Sequence, residues 1–225
     1  MAPFYDGLIY RMYRIMSHYD AKEEAAVIKT DLQQILQEIG NAVMGKEQAA
    51  YWMLAAILAR GHISLEDIPG VGKTTLALTF AKVLGLHFGR MQFTPDVTPS
   101  DVVGYCVPDL KSGEMIYKNG AVMCNLLLAD ELNRAASRTQ SALLEAMQEN
   151  QVTVDGICHK LPKPFVVMAT QNPAGVGTQP LPDSQMDRFA LRLRLGYPSA
   201  EDEKKMLLRV AAISDTAYAA TASLR

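Results

Sequence analysis

The feature that most restricts this chain is a ten-residue turn, Glu66-Asp67-Ile68-Pro69-Gly70-Val71-Gly72-Lys73-Thr74-Thr75, set between an apolar run and a helical pattern. His62 to Glu66 reads as a short strand, and Lys73 to Leu84 carries its apolar residues at helical spacing. A strand that passes through a glycine-rich turn directly into a helix belongs to folds in which parallel strands alternate with covering helices. The chain repeats that alternation downstream. Gly89 to Thr94 reads as a second strand, and Asn125 to Ala129 is a continuous apolar run of the kind found in a parallel strand buried on both faces. Ser137 to Glu149 reads as a helix with Ser137 as its N-cap and Leu143, Leu144 and Met147 on one face. Pro164 to Ala169 is another buried strand, and Phe189 to Leu195 alternates leucine with Arg192 and Arg194, as a strand at a sheet edge does. Five strands with intervening helices predict an α/β fold with a doubly wound, five-stranded parallel sheet flanked by helices.

Before Gly61 the pattern is helical. Leu32, Ile35, Leu36 and Ile39 form one face, with Gly40 expected to stop that helix, and a second helix is expected from Lys46 to Arg60. Residues 1–30 are rich in Tyr and Met, and the spacing of Ile9, Met12, Tyr13 and Met16 predicts a short amphipathic helix. Two segments interrupt the core with hairpin signals. Asn119-Gly120 predicts a turn near Glu114 to Gly120, and Asp155-Gly156 lies between the alternating pairs Val152/Val154 and Ile157/His159.

Composition narrows the function. The chain has 225 residues, 49% hydrophobic and 20% charged, which suits a globular domain and excludes a disordered chain. A net charge of −2 gives no electrostatic footprint for nucleic acid, so no nucleic-acid partner is expected. The longest apolar run, Ala49 to Ala59, is eleven residues, short of the roughly 18 that a membrane span needs. Cys106, Cys124 and Cys158 form no CxxC pair, and His18, His62, His87 and His159 form no metal-ligand cluster, so neither a disulfide framework nor a zinc site is expected. Such cysteine usage suits a reducing compartment, and a cytoplasmic location is expected.

The turn itself has a chemistry. Gly70 and Gly72 permit backbone conformations that point successive N–H groups at a polyphosphate, and the helix starting near Lys73 adds positive potential at its N-terminus. Lys73 would reach the β- and γ-phosphates and the Thr74 hydroxyl would ligate Mg²⁺. Asp67 stands where the strict phosphate-loop pattern has glycine. Leu126-Leu127-Leu128-Ala129 leads into Asp130 and Glu131, which puts two carboxylates at the sheet rim that carries the phosphate loop. Asp130 suits Mg²⁺, and Glu131 suits the polarisation of an attacking water. Asn172, at the end of the next buried strand, can hydrogen-bond a γ-phosphate or open a turn with Pro173. Arg188 can stabilise transition-state charge or simply pair with Asp187.

Together these segments resemble the MoxR family of AAA+ ATPases over about Asp31 to Leu208. The match lies in LEDIPGVGKT (Leu65 to Thr74), RMQFTPDVTPSDVVG (Arg90 to Gly104), DELNRA (Asp130 to Ala135), LLEAMQENQVT (Leu143 to Thr153), ATQNP (Ala169 to Pro173) and LPDSQMDRF (Leu181 to Phe189). The resemblance implies a P-loop NTPase core that binds ATP and Mg²⁺. The loop from Asp67, Ile68, Pro69, Gly70, Val71 and Gly72 to Lys73, Thr74 and Thr75 would hold the nucleotide. It further implies Asp130 and Glu131 as the Walker B pair, Asn172 as sensor-1 and Arg188 as an arginine finger serving a neighbouring subunit. Val43, Met44 and Gly45 resemble the family's adenine-pocket motif. The two hairpins correspond to the helix-2 insert and the pre-sensor hairpin. A hexameric ring, chaperone-like remodelling or maturation of a partner protein, and a von Willebrand factor A domain protein as that partner complete what the resemblance implies.

The expected division is an atypical segment over 1–30, the nucleotide-binding core over 31–212 and a short tail over 213–225. The family continues into a helical lid; here one helix, Ala200 to Ala212, is followed by the tail, so the lid is expected to be missing. A nucleotide-binding assembly switch with little or no hydrolysis is therefore the alternative function. A magnesium-chelatase or DNA-helicase subunit fits DELNRA and LPDSQMDRF less well.

Overall fold

The computed structural model describes residues 22–66, 70–111, 113–171 and 181–208, with side chains described from residue 29. The helix expected around Met12, the tail, residues 209–212, loop residues Asp67, Ile68 and Pro69, and Asn172 with Pro173 lie outside the described residues.

Helices α1 (Lys22–Ala42) and α2 (Glu47–Leu58) precede strand β1 (His62–Glu66) and helix α3 (Lys73–Val83). Then come β2 (Phe88–Gln92), the short α4 (Pro99–Val103), a hairpin of β3 (Gly104–Pro108) and β4 (Met115–Asn119), and β5 (Leu126–Asp130). Helix α5 (Ser137–Glu149), a second hairpin of β6 (Gln151–Val154) and β7 (Ile157–Lys160), β8 (Val166–Gln171), the one-turn α6 (Asp183–Met186) and β9 (Phe189–Leu193) follow. A last helix, α7, runs over 200–208. The five core strands form one sheet in the order β2-β5-β8-β1-β9, and every pairing in it is parallel. This is the expected doubly wound sheet, with β9 at its edge.

Side chains of a strand alternate between faces, and here both faces are dry. Leu126 and Leu128 of β5, with Val166 and Met168 of β8, join the cluster built with Ile35 and Ile39 of α1, Met53 and Ile57 of α2 and Phe80 of α3. Leu127 and Ala129, with Val167 and Ala169, face the opposite cluster with Leu143 and Met147 of α5. The apolar run from Ala49 to Ala59 thus becomes a core helix, although Tyr51 and Trp52 stay exposed and meet edge-to-face.

Several local expectations change. Gly40 does not stop α1, which continues to Ala42 because the buried face at Ile35 and Ile39 sustains the helix past it. Ser137 is the first residue of α5; Ala136 occupies the cap position without a side-chain bond. Asp155-Gly156 does form a two-residue hairpin turn, with both residues at positive φ (49° and 78°) as that turn requires. Asn119-Gly120 does not turn a hairpin. The β3–β4 reversal lies at Asp109 to Glu114, where Asp109 N–H donates to Glu114 O at 2.8 Å. Gly120 instead closes the end of β4 against α4, since a Cβ there would lie 2.3 Å from Gly104 N and Val102 O. Tyr117 of the first hairpin stacks on His159 of the second, with centroids 3.7 Å apart.

His62 is a polar residue inside this core, 8% exposed. Val167 N–H donates to its Nδ1 at 3.0 Å, which makes Nε2 the protonated nitrogen, donating to Met147 O at 3.1 Å. Burial lowers its pKa below the ordinary value. The fold therefore disfavours protonated His62 while the unfolded chain accepts the proton, so stability held above the ordinary histidine pKa falls as pH drops through and below it. Urea-unfolding free energies should decrease from pH 7.5 to pH 5.5, and His62→Gln, which does not titrate, should flatten that slope.

Candidate nucleotide-binding site

Because all five core strands run parallel, their carboxyl ends share one rim, with Gln92 beside Asp130 and Glu66 beside Gln171. β1 delivers the glycine-rich turn to that rim. Gly70 and Gly72 have φ of 90° and 91°, and a Cβ at either would meet no atom within 4 Å. Glycine is needed there for backbone conformation, because left-handed residues turn successive N–H groups to one side. Gly72 is the N-cap of α3 and has no side chain to cap the first N–H groups, and the positive end of a helix dipole favours an anion. Lys73 and Thr74 open the helix, half-buried.

β5 delivers the acids. Asp130 ends the strand, and Glu131 turns the chain into a 3-10 turn (Leu132–Arg134) with φ 54° and ψ 44°. A left-handed non-glycine residue carries a conformational cost, and such residues gather at functional sites. The Thr170 hydroxyl receives Glu131 N–H at 2.8 Å and donates to Asp130 Oδ1 at 2.7 Å. Arg90 Nη2 donates to Asp130 Oδ2 at 2.8 Å, and Arg134 Nη1 donates to Glu131 Oε2 at 2.8 Å. Sequence reasoning singled out the two acids but neither arginine nor Thr170. The signal available was their adjacency to the motifs: Arg90 opens RMQFTPDVTPSDVVG within the second strand, Arg134 lies inside DELNRA and Thr170 inside ATQNP.

Two further contacts shape the rim. Buried Glu66, at the root of the phosphate loop, pairs with Arg192 and lies 3.7 Å from Arg194. The alternating arginines of the edge strand are thus ion-pair partners of the loop's anchor. Gln171 Nε2 donates to Ser64 Oγ at 3.1 Å and to Met186 Sδ at 3.3 Å, tying β8 to α6. Arg188 follows α6 and is exposed; among the described residues it makes no ion pair with Asp187.

The candidate base-binding residues lie between α1 and α2. Val43 packs against the core, and a Cβ on Gly45 would approach Asp202 Oδ2 to 2.8 Å, so this segment sits beside α7. Lys46 Nζ donates to Leu195 O at 2.8 Å and to Gly196 O at 2.6 Å. Among the described residues no cluster of three or more His, Cys, Asp or Glu side chains could hold a metal by itself, and the three cysteines are unbridged. A hydroxyl on Thr74 and a carboxylate on Asp130 are hard oxygen donors. That set fits Mg²⁺, which is usually held by one or two carboxylates together with substrate phosphates.

A parallel sheet with a glycine turn, a lysine and paired acids on one rim defines a phosphate-loop nucleotide-binding core. The sequence profile of the ATPase family associated with various cellular activities (AAA) matches residues 62–191. The chain belongs to that family, among its MoxR-like members. It is 51% identical to a Bacillus subtilis protein named YeaC, itself uncharacterized, over 78% of this chain and 55% of the relative. It is 44% identical to Chaperone MoxR1 of Mycobacterium tuberculosis, over 83% of this chain and 49% of the relative. A solved structure from Cytophaga hutchinsonii, assigned as an ATPase, superposes with a TM-score of 0.76 at 41% identity, covering 84% of this chain and 58% of that one. The chain thus spans about half the length of the curated relatives it matches.

If Lys73 contacts the phosphates, Lys73→Ala should weaken binding of a fluorescent ATP analogue about ten- to hundredfold, the worth of a charge-assisted hydrogen bond. Unchanged affinity in equilibrium titration would show that the phosphates bind elsewhere.

Proposed function

We propose that this chain binds ATP with Mg²⁺ and hydrolyses it to drive chaperone-like remodelling or maturation of a partner protein. The observation that carries the reading is Glu131, held in a left-handed turn directly after Asp130 at the rim that bears the phosphate loop. In this reading the N–H groups around Gly70 and Gly72 cradle the polyphosphate, and Lys73 offsets charge at its β- and γ-phosphates. Thr74 and Asp130 hold the metal ion, which neutralises charge on the phosphates. Glu131 orients and polarises water, since phosphoryl transfer depends mainly on positioning and charge stabilisation. Asn172 contacts the γ-phosphate, and Val43, Met44 and Gly45 line the base.

Arg188 is assigned to a neighbouring subunit's site. Its exposure directly before the edge strand β9 supports action in trans within a ring, a hexamer by analogy with the family. A von Willebrand factor A domain protein is the proposed partner class, and the cytoplasm the proposed location; among the described residues no helix is long and apolar enough to cross a membrane.

A nucleotide-dependent assembly switch is the second reading. It draws on the guanidinium groups of Arg90 and Arg134, each bonded to one of the two acids that hydrolysis needs.

Glu131→Gln separates the two readings. It keeps size and hydrogen bonding but removes the charge, so phosphate release should drop at least about 100-fold, the usual loss when a general base is removed, with nucleotide affinity preserved. Turnover equal to the parent's would place the water-polarising carboxylate elsewhere. For Arg188, turnover per subunit should rise with protein concentration, and Arg188→Ala mixed into parent protein should depress the parent's rate. Strict proportionality in a chain that stays monomeric with ATP would exclude the trans role.

A further inference from the structure

One buried hydroxyl touches both rim acids. Thr170 lies on β8, 1% exposed, one step past the paired residues Ala129 and Ala169. A hydroxyl has one hydrogen and two lone pairs, whereas a backbone N–H can only donate. The 2.8 Å bond from Glu131 N–H therefore fixes Thr170 Oγ1 as the acceptor there and directs its own hydrogen to Asp130 Oδ1, 2.7 Å away. With Arg90 on Oδ2 at 2.8 Å, each oxygen of Asp130 has its own donor, which restrains the rotation of the carboxylate. The same hydroxyl anchors the backbone of Glu131 at the point where it enters its left-handed conformation.

We propose that Thr170 is the positioning residue for both acids, setting the carboxylate of Asp130 for the metal ion and the turn that presents Glu131 to the water. The assignment rests on the ATPase reading. Thr170 touches neither nucleotide nor water in this scheme; it acts through Asp130 and Glu131. The bond to an ionised carboxylate is of the stronger, charge-assisted kind. Removing the hydroxyl also leaves the Glu131 N–H without its acceptor in a nearly closed environment, where an unpaired donor is costly.

The test compares Thr170→Val, which keeps the shape and loses the hydroxyl, with Thr170→Ser, which keeps the hydroxyl. Binding of a fluorescent ATP analogue is titrated with Mg²⁺ and, separately, in EDTA. The valine variant should need about tenfold more Mg²⁺ for half-saturation, in line with the loss of one charge-assisted bond. Its metal-free nucleotide affinity should match the parent's. Its kcat should fall about tenfold or more with KM little changed, and the serine variant should stay within about twofold of the parent in every measure. A valine variant that melts earlier yet keeps the parent's Mg²⁺ demand and kcat would reduce Thr170 to a packing role and overturn the proposal. A serine variant as impaired as the valine one would overturn it too, because the hydroxyl would then not be the agent. Should the valine variant fail to fold, Thr170→Ala against Thr170→Ser in the same Mg²⁺ titration decides between these outcomes. Asp130→Asn is the control for the underlying reading: an unchanged Mg²⁺ demand there would overturn the assignment of the acids themselves.

Discussion

The in-register parallel pairing of β5 with β8 is the constraint on which the site depends. Leu126 to Ala129 lie beside Val166 to Ala169 without a shift, each strand dry on both faces. A shift of one residue in either strand would exchange the two faces and separate Thr170 from Asp130. Register of this kind is strongly specified where both faces are buried, because every apolar side chain has a cluster waiting on its own side. The core thus does more than stabilise the domain. It sets the angstrom-scale relation between a hydroxyl on one strand and two acids at the end of another.

Much of the fold was legible because it follows from burial and periodicity. Continuous apolar runs mark Asn125 to Ala129 and Pro164 to Ala169 as interior strands, found at Leu126–Asp130 and Val166–Gln171, and the Arg/Leu alternation over Phe189 to Leu195 marks the edge strand found at Phe189–Leu193. The errors fall where a single residue type has two uses. Asn-Gly favours a turn, but Gly120 is there because two backbones come within a methyl group's reach of each other. Gly40 has the look of a stop, yet a helix with a well-buried face runs through it. Ser137 is a good capping residue, while the chain places alanine at the cap and begins the helix at the serine.

The site divides along the same line. Glycine, lysine and paired acids announce themselves, because their chemistry needs those residue types at fixed separations. Arg90, Arg134, Thr170 and Glu66 do not, since what each does depends on a partner distant in sequence or on which way a turn sends its side chain. Thr170 and Asp130 are forty residues apart; adjacency in the sheet, which no local pattern encodes, brings them together. Glu66 looks like the last residue of a strand until Arg192 is seen to reach it from the neighbouring one.

The Lys46 amino group joins the start of α2 to carbonyls 149 and 150 residues further along. Mechanically this is a clasp: it turns an open stretch of chain into a closed loop whose two ends cannot peel away independently. Fraying at the edge strand must first open the clasp, and so must displacement of α2, so the margin of the sheet shares the cooperativity of its middle. A pull applied through α7 would likewise reach the segment around Gly45 before it reached any strand.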